Sequence, residues 1–288
     1  MRAFLAAVLV AAPAAAQDRP VIVADSYPMA YFAERLAGDA AEVRLVVPEG
    51  RDPSSWRPGL AEIAEIQGAD LIVLNGAGLA DWTTRAALPR ARTVETGRGL
   101  TDALIATETL THSHGAEGAH SHEGVATHTW LDLELAARQA EALAAAMGRV
   151  LPDADGAALE GLLSDLAALD ADGEALVEGD PVPVIAAHPR YEYLGRAYGL
   201  VVTALDWERD AAPTAEQVAV LKAEAKANGA RVFLWEAEPS AEARAAVAAT
   251  GLAQAVVPPL AMPPASGDFV SALRDGFAAL AAALAGAG

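Results

Sequence analysis

The 288-residue chain sets 20 Lys and Arg against 39 Asp and Glu, a formal net charge of −19, and it has no cysteine. With no Lys/Arg cluster to follow a phosphate backbone, nucleic acid is a poor candidate partner; without thiols there is no disulfide stapling, and any metal site must use nitrogen and oxygen donors. A hydrophobic fraction of 53% fills real cores and excludes bulk disorder. The acidity reads mainly as a solubility adaptation, although it also favours the approach of divalent cations.

Arg2, the apolar run Ala3 to Val10 and the small residues Ala14 to Ala16 have the layout of a secretory signal peptide over residues 1–16, with cleavage after Ala16. That run is too short to span a bilayer and no later stretch reaches the ~20 apolar residues a transmembrane helix needs, so no direct membrane insertion is expected. "PVIVADSYP" then reads as a strand, "MAYFAERLAG" as an amphipathic helix stopped by Gly38, "AEVRLVV" as a second strand and "GRDPSSWRPG" as a turn-rich loop. "LAEIAEIQG" is a short helix and "ADLIVLNGAG" a nearly continuous apolar strand. Strands apolar on both faces and alternating with helices point to a covered parallel sheet.

Helix is expected from Leu131 to Met147, and again from about Ala154 to Val177, where Leu159, Leu162, Leu163, Leu166 and Leu169 form a stripe. The strand and helix alternation then returns through "PVIAA", "YEYLGRAYG", "LVVTAL", "TAEQVAVLKAEAKANG" (capped by Thr214), "ARVFLWEAEPS", "SAEARAAVAATG" and "DFVSALRDGFAALAAALAG". The expected fold class is α/β: two α/β lobes with parallel-type sheets joined by one long crossing helix. The N-terminal lobe covers 17–152 with a His-rich loop at 112–122, the linking helix 153–178 and the C-terminal lobe 179–288. Ligand is expected at the carboxyl ends of the strands facing the interlobe cleft. Tyr27, Tyr31, Tyr191 and Tyr193 read as packing around that cleft, and Trp56 and Trp82 as residues closing its edge.

Five of the six histidines lie between His112 and Asp132. His112, His114, His120 and His122 alternate with Ser, Gly, Ala and Glu. No apolar period pins them in a core, so they read as a flexible, metal-scavenging loop. His128 leads into the helix "WLDLELAARQA", and His188 follows the strand "PVPVIAA". Each is the kind of position that holds a side chain rigidly at a strand or helix end, and together they supply one imidazole from each lobe, a geometry suited to a cleft-bound cation. There is no P-loop, G-x-S-x-G, H-E-x-x-H or dinucleotide fingerprint.

In order along the chain, "VIVADSYPMAYFAERLAGD", "VPEGRDPSSWRP", "DLIVLNGAGLADW", "HTWLD", "HPRYEYLGRAYGL" and "PTAEQVAVLKAEAKANGARVFLWEAEPS" resemble the cluster A-I metal-binding periplasmic proteins of ABC importers, the zinc-uptake type. The resemblance implies His128 and His188 as metal ligands, Zn²⁺ as cargo ahead of Mn²⁺ or another divalent metal, an ABC permease of the inner membrane as partner, a periplasmic location, modest closure about the crossing helix, and no enzymatic step. A His-rich insert before the second ligand is a feature of the zinc members. Two positions depart from the family pattern: the first ligand loop, usually Asp-Pro-His, reads Asp52-Pro53-Ser54, and the late carboxylate falls near Pro258. Candidate replacements are Asp52 or Glu49, Glu236 or Glu238, Asp206 or Glu208, or a histidine of the loop. The rival expectation is a non-transporting periplasmic metal buffer, chaperone or interaction protein with a degenerate cleft; a hydrolytic two-histidine metal enzyme is a distant third. A monomer is expected.

Overall fold

The computed structural model describes residues 19–107, 124–152, 156–208 and 211–287. The signal segment 1–16 and the four histidines at 112, 114, 120 and 122 lie outside the described residues.

In the first lobe β1 (Val21–Ala24), β2 (Glu42–Leu45), β3 (Leu71–Leu74) and β4 (Thr93–Glu95) form a four-stranded parallel sheet in the order β2-β1-β3-β4, with Ile22 opposite Val43, Val23 opposite Ile72 and Val73 opposite Val94. The central strand β3, "LIVL", is buried at all four positions, as a strand covered on both faces must be. α1 (Tyr27–Ala37) covers one face and α2 (Leu60–Gly68) the other. A short antiparallel pair, β5 (Ala106–Thr107) and β6 (Gly124–Val125), brackets the histidine-rich stretch.

α3 (Leu133–Met147) starts on Asp132, whose side chain accepts from the Leu135 N–H, and α4 (Gly156–Glu174) follows. In the second lobe β7 (Val182–Ala186), α5 (Glu192–Ala197), β8 (Leu200–Ala204), α6 (Ala215–Asn228), β9 (Val232–Trp235), α7 (Ala241–Ala248), β10 (Ala253–Val256) and α8 (Phe269–Gly286) build a second parallel sheet in the order β8-β7-β9-β10. Each lobe therefore lays down its strands in the same spatial order: second, first, third, fourth. The Thr214 cap is present, and Gly229 ends α6 with φ of 72°, a left-handed stop that suits glycine.

The crossing helix α4 buries Leu162, Leu166 and Leu169 completely, in a hydrophobic core that runs without a break from Ile22 in β1 to Leu280 in α8. It does not bridge the lobes alone. Phe269 at the start of α8 stacks on Tyr31 of α1 and meets Phe32 edge-on, so α8 also ties the second lobe to the first. α8 is long and apolar enough to cross a membrane by length and composition, contrary to the expectation that no later stretch is. Here its face Phe269, Leu273, Phe277 and Leu280 is core, and Arg274 pairs with Asp172 at 3.1 Å. Trp56 and Trp82 also differ from expectation: they meet edge-to-face at 5.8 Å within the core behind the first sheet rather than at the cleft edge.

Candidate metal centre

The strand termini place the polar residues. Asp25 directly follows β1 and Asn75 directly follows β3, both fully buried, and the Asn75 backbone N–H donates to both Asp25 oxygens at 3.0 and 3.1 Å. The Asn75 side chain then donates to Thr127 O at 3.0 Å and accepts from Thr129 Oγ1 at 3.0 Å, while Gln139 and Thr96 close the network from behind. The two residues flanking His128 are thus fixed from below. Burial pushes the Asp25 carboxyl up to about 7, against the hydrogen bonds from Asn75 and Ser26 that favour its charge.

His128 is buried, with Nδ1 3.0 Å from Thr127 Oγ1 and Nε2 3.2 Å from Arg190 Nη1. A guanidinium can only donate, so Nε2 is the acceptor and the proton sits on Nδ1, facing Thr127. Burial, and then the adjacent Arg190 charge, hold the imidazole well below its usual range; Asp52 acts in the opposite sense. His128 is therefore neutral at pH 7, the form in which an imidazole can coordinate a metal.

His188, just past β7, is partly exposed; its Nδ1 faces the Trp207 carbonyl at 3.1 Å and its Nε2 lies 3.9 Å from Asp206 Oδ1. A carbonyl only accepts, so His188 shares the Nδ1–H tautomer. Both imidazoles are anchored through Nδ1 and present Nε2, the arrangement by which proteins orient histidine ligands.

Asp52 and Glu236 complete the cleft. Asp52 Oδ1 accepts from both the Ser54 N–H (2.8 Å) and its hydroxyl (2.6 Å), so the serine that stands in the expected ligand position orients the aspartate. Burial alone would raise the Asp52 carboxyl, but Arg190 and Ser54 outweigh it and leave it below the usual range. Glu236 is the first residue after β9. Of the other candidate donors Glu49, Glu208 and Glu238 are exposed, and Glu238 is engaged by Arg244. Pro258 lines a cavity of about 580 Å³ beside Asp52, Arg190 and Glu236.

The residue that sequence reasoning missed is Arg190. Its Nη2 meets Asp52 Oδ2 at 2.6 Å and its Nε stands 2.9 Å from Glu236 Oε2, with side-chain exposures of 11%, 21% and 6% for Arg190, Asp52 and Glu236. It sits two residues past His188, inside the stretch "HPRYEYLG". The available signal was a lone cation at a strand end in a strongly acidic chain. Its guanidinium joins His128, Asp52 and Glu236, residues from both lobes. Among the described residues no three His, Asp or Glu side chains stand together as a ready metal cage; His128, Asp52 and Glu236 converge on Arg190 instead.

A sequence model of the family described as zinc-uptake complex component A, periplasmic, matches residues 22–283. The zinc-binding lipoprotein AdcA of Streptococcus pneumoniae is 29% identical over 233 residues, 76% of this chain and 45% of that protein, so the chain spans about half of that relative. The high-affinity zinc uptake system protein ZnuA of Bacillus subtilis is 28% identical over 235 residues, 76% of this chain and 71% of that protein. Among solved structures, the metal-dependent lipoprotein YcdH from Bacillus subtilis superposes with a TM-score of 0.77 at 22% identity, covering 92% of this chain and 99% of that one, a likeness of fold.

Proposed function

Because the chain belongs to the periplasmic zinc-uptake component A family, we propose that it is a periplasmic solute-binding protein that captures a divalent transition metal, Zn²⁺ first, and delivers it to an ABC permease of the inner membrane. The observation that supports this reading is the pair of Nδ1-anchored imidazoles: His128 stands beside Asp52 and Glu236 about Arg190, and His188 is near enough to act electrostatically on His128. Two nitrogen and two oxygen donors make a four-coordinate set suited to Zn²⁺. Asp52 supplies in the first loop what Ser54 cannot, and Glu236, just past β9, supplies the carboxylate missing at Pro258. Capture and release break no covalent bond, so the protein is not an enzyme. His112, His114, His120 and His122 would raise the local metal concentration beside His128.

A second reading, a periplasmic buffer without transport, is favoured by the pairing of Arg190 with two of the four donors. Competition of zinc against a chromophoric chelator separates the two. The wild type, a chain lacking residues 112–122, and His128→Ala/His188→Ala should give one tight zinc, one tight zinc, and a loss of at least about a hundredfold in affinity, worth ~2.7 kcal/mol. Micromolar binding that disappears with the loop and ignores the two substitutions contradicts cleft capture.

A further inference from the structure

Three of the four proposed donors in the cleft, His128, Asp52 and Glu236, are engaged by one side chain; His188 faces the Trp207 carbonyl and Asp206 instead. Arg190 donates to the Nε2 lone pair of His128, the same lone pair a metal would use, and its other two nitrogens face Asp52 and Glu236. Asp52 and His128 come from the first lobe, Arg190 and Glu236 from the second. The guanidinium is therefore an interlobe tie as well as a counter-ion, and its planar fork meets several acceptors at once, which an ammonium cannot do. Two carboxylates against one guanidinium leave an excess negative charge, whereas a divalent ion in its place would balance the pair. The site as built thus holds a monocation where a dication fits better.

Resting on the cleft-capture reading above, we propose that Arg190 is the resident cation of the metal seat: Zn²⁺ is taken up by exchange with its guanidinium, and Arg190 sets the affinity and the charge selectivity of the cleft. Until a metal arrives, Arg190 holds two like-charged carboxylates and a buried imidazole close together with reduced repulsion. Metal must break two short ion pairs and a hydrogen bond to enter. On release the guanidinium returns to the same three acceptors, which favours discharge. Arg190 touches the ligands and not the metal, so it is a positioning and competing residue.

Zinc affinity and thermal unfolding are measured on the wild type, Arg190→Gln and Arg190→Ala, each alone and with His128→Ala. Removal of the competitor should tighten zinc binding at least about tenfold and enlarge the rise in melting temperature that zinc produces. Millimolar guanidinium chloride, far below denaturing levels, should refill the hole in Arg190→Ala and weaken its zinc binding while leaving the wild type unchanged, a response that lost packing would not give. Unchanged or weaker zinc binding in both variants, with His128 still required, overturns the exchange proposal and leaves cleft capture standing. Zinc binding indifferent to His128→Ala in every background overturns cleft capture itself, and the proposal with it. Should Arg190→Ala and Arg190→Gln not fold, Arg190→Lys carries the test: its ammonium bridges fewer acceptors, severalfold tighter zinc binding is expected, and equality with the wild type overturns the proposal.

Discussion

Asp25 is the buried group beneath the site that the capture reading does not use as a ligand, and it carries a cost. In the unfolded chain its carboxyl ionises near the ordinary 3.8; in the fold burial moves it to about 7. Its folded pKa lies above its unfolded one, so the associated stability is full below about 4 and is lost as the pH rises toward 7. Asp25→Asn keeps an oxygen acceptor for Ser26 and Asn75 without a charge to bury. Its stability relative to wild type should improve as the pH rises from about 4 to about 7, by on the order of 4 kcal/mol at most, and level off above. Urea unfolding at several pH values checks this; a difference that does not change with pH contradicts the buried-charge account. At this scale the sequence singles out His128 and His188 because each lies at an element end that an α/β chain holds rigid, and the structure anchors both through Nδ1. It left the carboxylates as three pairs, with a loop histidine as a further alternative; of the pairs, Asp52 and Glu236 are the members the structure places against Arg190. Arg190 was illegible because a long side chain can point anywhere, and only the approach of the two lobes decides that it turns inward.

Among the elements, α4 shows how small residues seat a helix. Gly173 faces the Tyr198 ring so closely that a Cβ there would lie 2.6 Å from it, and Tyr198 is held in place by donating to Asp170 at 2.8 Å and accepting from the Leu133 N–H at 3.2 Å. One contact therefore locks α4, the turn after α5 and the start of α3. Gly173→Ala should destabilise by about 1–3 kcal/mol despite the better helix propensity of alanine, read by chemical unfolding. Stability equal to or above wild type would mean that α4 is not seated on Tyr198. The helices were largely legible from apolar spacing and from signals such as Thr214 and Gly229. The short strands β4, "TVE", and β10, "AQAV", were not, since three or four residues without alternation carry no period, and they pair only because β3 and β9 offer an edge.

For the whole molecule, both sheets repeat one strand order, and the residues that follow β1, β3, β7 and β9 are linked across the lobes through Thr127, His128 and Arg190. Asp25 and Asn75 support it from one side, and His188, Arg190 and Glu236 enter it from the other. Both α4 and α8 span the lobes, so a continuous core underlies the cleft, and change on metal capture is expected to be local, centred on Arg190. Anomalous diffraction at the zinc edge from crystals of the zinc-loaded protein tests this most directly. The account predicts one dominant peak within coordination distance of His128 Nε2, His188 Nε2 and the Asp52 or Glu236 carboxylate, with the Arg190 guanidinium withdrawn from all three of its partners. A peak found only on residues 112–122 or on the outer surface, with the Arg190 ion pairs intact, would contradict it.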